Sequence, residues 1–80
     1  MVKAFVEIHL KKGVADPEGS NTLKALKLLG FENATDVKSA KLFEIDLKEE
    51  NRAKAKALLE EMCNRLLANP VIHDYQIRFE

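Results

Sequence analysis

Eighty residues suffice for one small domain, and a chain this short buries only about 60–65% of the surface its unfolded form exposes, so its core is marginal without partner chains. Thirteen basic residues are interleaved with thirteen acidic ones, which excludes the broad electropositive field that nucleic acid or an anionic membrane surface would require. One cysteine, Cys63, excludes an internal disulfide, and with no signal peptide or long apolar span the expectation is a single cytoplasmic domain over residues 1–80.

From Val2 to Leu10 apolar residues alternate, with Val2, Ala4, Val6, Ile8 and Leu10 on one face and Lys3, Glu7 and His9 on the other, which predicts a half-buried strand. Asp16 is a good N-cap, and Pro17 suits the first helical position, where its missing N–H would be unpaired anyway. The helix they start runs to about Leu29, with Leu23, Ala25, Leu26 and Leu29 as its core stripe. Gly30 serves as the left-handed residue that ends it and Phe31 covers Leu26. Residues Asn33 to Leu47 read as two strands joined near Ser39-Ala40, the second facing Phe43, Ile45 and Leu47 inward.

A second helix is expected from about Glu49 to Ala68. It presents Ala55, Leu58, Leu59, Met62, Cys63 and Leu66 inward and pairs Glu50 with Lys54 and Glu61 with Arg65 outside. Asn69-Pro70 ends it, because a residue before proline avoids helical geometry. The last strand turns Tyr75, Ile77 and Phe79 inward against Asp74, Gln76, Arg78 and Glu80.

The order is βαββαβ, and the two halves echo each other, Phe5 to Lys11 resembling Leu42 to Lys48. The expected fold is therefore α+β: a ferredoxin-like sandwich in which a four-stranded antiparallel sheet carries two helices on one face and leaves the other uncovered. Alternation places Phe5, Leu42 and Ile72 on that uncovered face, where a second chain would bury them.

Catalytic groups are not in evidence. His9 falls on the outer face and His73 on the inner one, so the two do not converge on a base or metal site. Cys63 lies on an apolar stripe near a helix C-terminus, where the dipole raises a thiol pKa, and reads as a core residue. Glu7, Glu44 and Asp46 share a face with lysines and read as a solvated surface. Gly13 and Gly19 flank a helix start without a phosphate-binding motif. The outer strands lack the basic and aromatic residues of an RNA-binding sheet.

The stretch Glu61-Met62-Cys63-Asn64-Arg65-Leu66-Leu67-Ala68-Asn69-Pro70-Val71-Ile72-His73-Asp74-Tyr75 resembles the run E-M-C-x-x-L-L-A-N-x-V-I-E-D-Y of the PurS family, the small subunits of phosphoribosylformylglycinamidine synthase. Asp16-Pro17-Glu18-Gly19 resembles the family's D-P-x-G turn, Leu28-Leu29-Gly30 its L-x-G helix end, and Lys41 with Glu44 its G-K-x-x-E hairpin. Two positions depart from that pattern: Ala40 replaces the hairpin glycine, and His73 stands where the family usually has Glu.

The resemblance implies a subunit with no catalytic, cofactor or metal site of its own. It would join a PurQ glutaminase and an ATP- and magnesium-using PurL synthetase in the fourth step of purine biosynthesis, bridging them and helping to enclose the path of glutamine-derived ammonia. It further implies a homodimer, or a dimer of dimers when alone. Expected partner or oligomer contacts are Phe5, Leu42 and Ile72 on the open face, and Asn69, His73, Asp74 and Tyr75 at the entry to the last strand. The alternative from another class is a ferredoxin-like regulatory domain that senses a small molecule. An enzyme built on His9 with Glu7 or Asp46 ranks below both, because no spacing organises a base, an orienter and an anion hole.

Overall fold

The computed structural model describes residues 1–80, and the chain forms β1 (Val2–Leu10), α1 (Pro17–Leu28), β2 (Ala40–Leu47), α2 (Arg52–Met62) and β3 (His73–Phe79). The strands make one antiparallel sheet in the order β2-β1-β3, with Val6 opposite Phe43 on one side and Ile77 on the other. Alternation along β1 works as the sequence predicts: Ala4, Val6 and Ile8 are buried on one face, and the residues between them remain partly open on the other.

Onto the buried face pack Leu59 of α2 and Cys63 just beyond its end, which form the core with Ala4, Val6, Ile8 and Ala68. Phe43, Ile45 and Leu47 flank it from β2, and Tyr75, Ile77 and Phe79 flank it from β3. The helix starts three residues later than expected. Glu49 turns its carboxylate onto the backbone N–H groups of Glu50 and Asn51, which leaves Asn51 to cap the helix by accepting from Lys54 N–H at 3.1 Å. Glu50 therefore pairs with the N-terminal amine rather than with Lys54, whereas the Glu61–Arg65 pair forms at 2.9 Å.

The far end of this helix widens. Residues Cys63–Leu67 make a π-helical turn closed by Ala68 N–H donating to the Cys63 carbonyl at 2.9 Å. A regular helix would carry Leu66 onto the same face as Leu59 and Cys63. The wide turn changes the phase, so Ala68 enters the core and Leu66 is left 83% exposed.

Two features of the expected sandwich are absent, and they share a cause. Residues 33–39 pair with no strand, so the sheet has three strands and β2 is an edge instead of a central strand. Ser39, expected in a hairpin turn, instead donates its backbone N–H to Asp16 Oδ2 at 2.6 Å and its hydroxyl to Asp16 Oδ1 at 2.7 Å. Nearby, the Val37 carbonyl oxygen lies against the bare Cα of Gly19, so close that a Cβ there would overlap it. The segment thus spends its polar groups on the first turn of α1, and no hairpin exists for a glycine at 40 to serve. Ala40 is the first residue of β2, opposite His9.

The ends of α1 behave as predicted. Asp16 Oδ1 accepts from Gly19 N–H at 2.9 Å, Pro17 occupies the first turn, Gly30 adopts φ +99°, and Phe31 N–H reaches back to the Leu26 carbonyl at 2.9 Å. Its placement does not follow the prediction. No residue of α1 belongs to the core, and Gly19 is its only buried position. The radius of gyration is 16.0 Å, against about 11–12 Å for a compact chain of this length. Helix α1 and residues 31–39 form an arm, and the molecule measures 48 × 26 × 14 Å.

Hydrogen bonds from Gly19 and Ser39 hold the Asp16 carboxyl below the usual carboxylate range. A lowered folded pKa stabilises the fold above the unfolded value, near 4, and that contribution is lost as pH falls through the folded pKa. In denaturant titrations the stability gap between the parent and Asp16→Asn should therefore be constant from about pH 5 to 7 and narrow below about pH 4. A gap that ignores pH would show that the charge on Asp16 contributes nothing.

Candidate assembly surface

Apolar residues of the two helical segments are split between two open surfaces. On the arm, Leu23 and Leu26 are half-buried, while Leu28, Leu29 and Phe31 at its tip are exposed, Leu28 by 89%. On the body, Leu58 and Leu66 of the second helical segment are exposed beside a cleft of about 410 Å³ lined by Ile45, Leu58, Met62, Leu66 and Leu67, with Glu61 and Arg65 at its rim. This cleft lies on the β2 side of α2, the side on which a two-helix sandwich would seat α1.

The residues expected on the open sheet face are only partly brought together. Phe5 and Leu42 are diagonal neighbours there, Phe5 opposite Glu44 and Leu42 opposite Glu7. Phe5 is half-buried with the Arg78 guanidinium 5.7 Å from its ring centre, whereas Leu42 is 57% exposed. Charge dominates the rest of the face. Lys3 meets Glu44 at 2.9 Å, and that hydrogen bond, with the negative charges of Glu44, Asp46 and Glu80, raises its pKa. Ile72 does not share the patch: it precedes β3, is half-buried, and accepts from Lys11 N–H at 2.8 Å through its carbonyl.

Between α2 and β3 the chain closes on itself around Asn69. Its side-chain oxygen accepts from Val71 N–H at 3.0 Å, its carbonyl accepts from Ile72 and His73 N–H, and its own N–H donates to His73 Nδ1 at 2.8 Å. Donation to Nδ1 requires a lone pair there, so the ring carries its proton on Nε2. A glutamate at 73 would offer a carboxylate oxygen to the same N–H, which accounts physically for either residue. Asp74 is exposed, with Lys11 at 3.8 Å, and Tyr75 packs against the core.

His9 binds Glu7 at 2.8 Å on the outer face, while His73 stands opposite Leu10 on the inner one, so the histidines are separated as expected. Cys63 is buried, and that burial, followed by the charge of Glu60, pushes its thiol up, away from a nucleophile's range. No three His, Cys, Asp or Glu side chains are grouped as metal ligands, and no helix is long and apolar enough to cross a membrane. The arm was missed by sequence reasoning. Its signal was Leu28, which lies off the stripe of Leu23, Leu26 and Leu29 and makes the helix apolar on more than one side.

A family model described as PurS, phosphoribosylformylglycinamidine (FGAM) synthase, matches residues 3–80. The chain is 52% identical over 80 residues to the phosphoribosylformylglycinamidine synthase subunit PurS of Methanocaldococcus jannaschii, covering 100% of this chain and 96% of that protein. It is similar to the crystal structure of M. jannaschii PurS with a TM-score of 0.91 at 54% identity, over 100% of this chain and 96% of that one. The fold also matches a chain in the structure of PurLQS from Thermotoga maritima, with a TM-score of 0.90 at 24% identity, over 99% and 96% of the two chains.

For the turn at Asn69, His73→Glu should keep stability within about 0.5 kcal/mol of the parent, and His73→Leu should lose about 0.5–1.5 kcal/mol, the net worth of one hydrogen bond. Urea midpoints decide it. Equal losses in both variants would remove the acceptor role.

Proposed function

This chain belongs to the PurS family of phosphoribosylformylglycinamidine synthase, and we propose that it serves there as the non-catalytic bridge between a PurQ-type glutaminase and a PurL-type synthetase. As a PurS subunit it works in purine biosynthesis. In this reading the catalytic subunits use glutamine, ATP and magnesium in the cytoplasm to amidate formylglycinamide ribonucleotide. The present chain holds them together and helps to shield ammonia in transit. One observation carries the reading: the 52% identity to the M. jannaschii subunit spans all 80 residues, so the likeness includes the arm, the cleft and the Asn69 turn as well as the core. That a chain of the same fold stands in PurLQS of T. maritima supports a role within a complex.

The arm and the cleft give the homodimer a form. We take the occupant of the cleft to be α1 of a second copy, because the stripe and the cleft are the two halves of one helix–helix contact encoded in one sequence. A reciprocal exchange makes each contact twice about a two-fold axis, and each large side chain it buries contributes about 1.5–3 kcal/mol. It also restores two helices on one face of the sheet, the layer arrangement that the ferredoxin-like order calls for. Phe5 and Leu42 on the open face are then left for pairing of dimers, and Ile72 with Asn69, His73, Asp74 and Tyr75 for the catalytic subunits.

Reconstitution of the synthase with and without this chain tests the bridge. Glutamine-dependent activity should fall about tenfold or more without it, the scale of a lost tethering effect, with a smaller loss when free ammonia is supplied. Full glutamine-dependent activity from the other two subunits alone would end the proposal. Sedimentation at micromolar concentration tests the exchange: Leu29→Asp or Leu66→Asp should give monomers, since each places a charge in the apolar contact. Phe5→Asp with Leu42→Asp should leave the dimer in place. An unchanged mass for Leu29→Asp would refute α1 as the exchanged element.

A further inference from the structure

Asp16 has more partners than a helix cap needs. Besides Gly19 N–H it accepts from the backbone and the hydroxyl of Ser39, 23 residues away, so one carboxylate joins the first turn of α1 to the residue just before β2. Gly19 adds a second, independent constraint. Its φ is not in the left-handed region, so nothing in its own backbone calls for glycine, yet a Cβ there would overlap the Val37 carbonyl oxygen. Both contacts bind residues 16–19 to residues 37–39. The sheet end of this junction is fixed, because Ala40 sits in register opposite His9.

No residue of α1 belongs to the core, and these contacts tie the base of the helix to the residues that lead into β2. We infer that Asp16, Ser39 and Gly19 form a pin that aims α1, acting as positioning residues for its docking on the second copy without touching that copy themselves. The inference rests on the reading that α1 is the exchanged element. Its physical basis is preorganisation: an arm held in one direction loses little freedom on docking, and an arm free to swing binds more weakly in proportion to the time it spends misdirected.

The pin can be loosened without touching the contact surface. Ser39→Ala removes a hydroxyl donor, and Gly19→Ala should strengthen α1 as a helix while forcing the Val37 segment away. Sedimentation equilibrium should show the dimer dissociation constant raised about tenfold or more in both variants, as expected when the competent orientation falls to about a tenth of the population. Ser39→Thr, which keeps the donor, should restore the parent value. Far-UV circular dichroism should match the parent in all three, which a general loss of structure would not allow. Should Ser39→Ala and Gly19→Ala dimerise like the parent while Leu29→Asp is monomeric, the pin is wrong and the exchange stands. Should Leu29→Asp keep the parent mass as well, the exchange fails and the pin with it. Ser39→Ala alone suffices for this choice if Gly19→Ala does not fold.

Discussion

The carboxylate of Asp16 accepts three hydrogen bonds, one from its own helix and two from Ser39, and these compete directly with a fourth strand. A strand over residues 33–39 would need Ser39 N–H and its neighbours for a ladder beside β2. With Ser39 bound to Asp16 and the Val37 carbonyl packed on Gly19, the return segment follows α1 away from the sheet. Charge-assisted bonds to a carboxylate are stronger than neutral ladder bonds, so the competition favours the arm. An edge at β2, an unseated α1 and an apolar cleft all follow from that choice.

Coupling between fold and assembly then arises from size. The core has only six fully packed members, three from β1, two from the second helix and its wide turn, and Ala68 just beyond. A domain of this length is marginal even when compact, and this one holds its arm out at a radius of gyration of 16.0 Å. Apolar groups on Leu28, Leu29, Leu58 and Leu66 stay wet in the isolated chain. Whatever covers them adds its binding free energy to the stability of the fold, so for a subunit of this kind the folded state and the assembled state draw on the same side chains.

Elements whose signals are local were legible in the sequence. Alternation in β1 and β3, the Asp16 cap, the left-handed Gly30 and the break at Asn69-Pro70 depend on neighbours a few residues away, and each is where the pattern puts it. Family membership was legible for the same reason, as a contiguous run from Glu61 to Tyr75. The placement of α1 was not, because amphipathicity reports that a stripe will be buried without reporting by which chain. Beside Leu28, Gly19 was a second readable clue: a glycine inside a helix that needs no unusual backbone marks a close approach by something else, here the Val37 carbonyl. The second job of Asp16 left no trace in the sequence, since a cap alone accounts for an aspartate before proline.

The wide turn at Cys63–Leu67 links the body's own closure to its open surface. Continuing α2 as a regular helix would place Leu66 over the strands and swing Ala68 and Asn69 off them. The Asn69–His73 bond would then lose its geometry, and β3 would enter the sheet from a different height. By taking the longer turn, the chain brings Ala68 into the core and sets Asn69 to receive His73 N–H, and β3 runs on in register with β1 from His73. The same phase change exposes Leu66 at the mouth of the cleft. Closing the sheet on the β3 side and opening an apolar seat on the β2 side are therefore one geometric event, and the seat is shaped by packing that the monomer needs for itself.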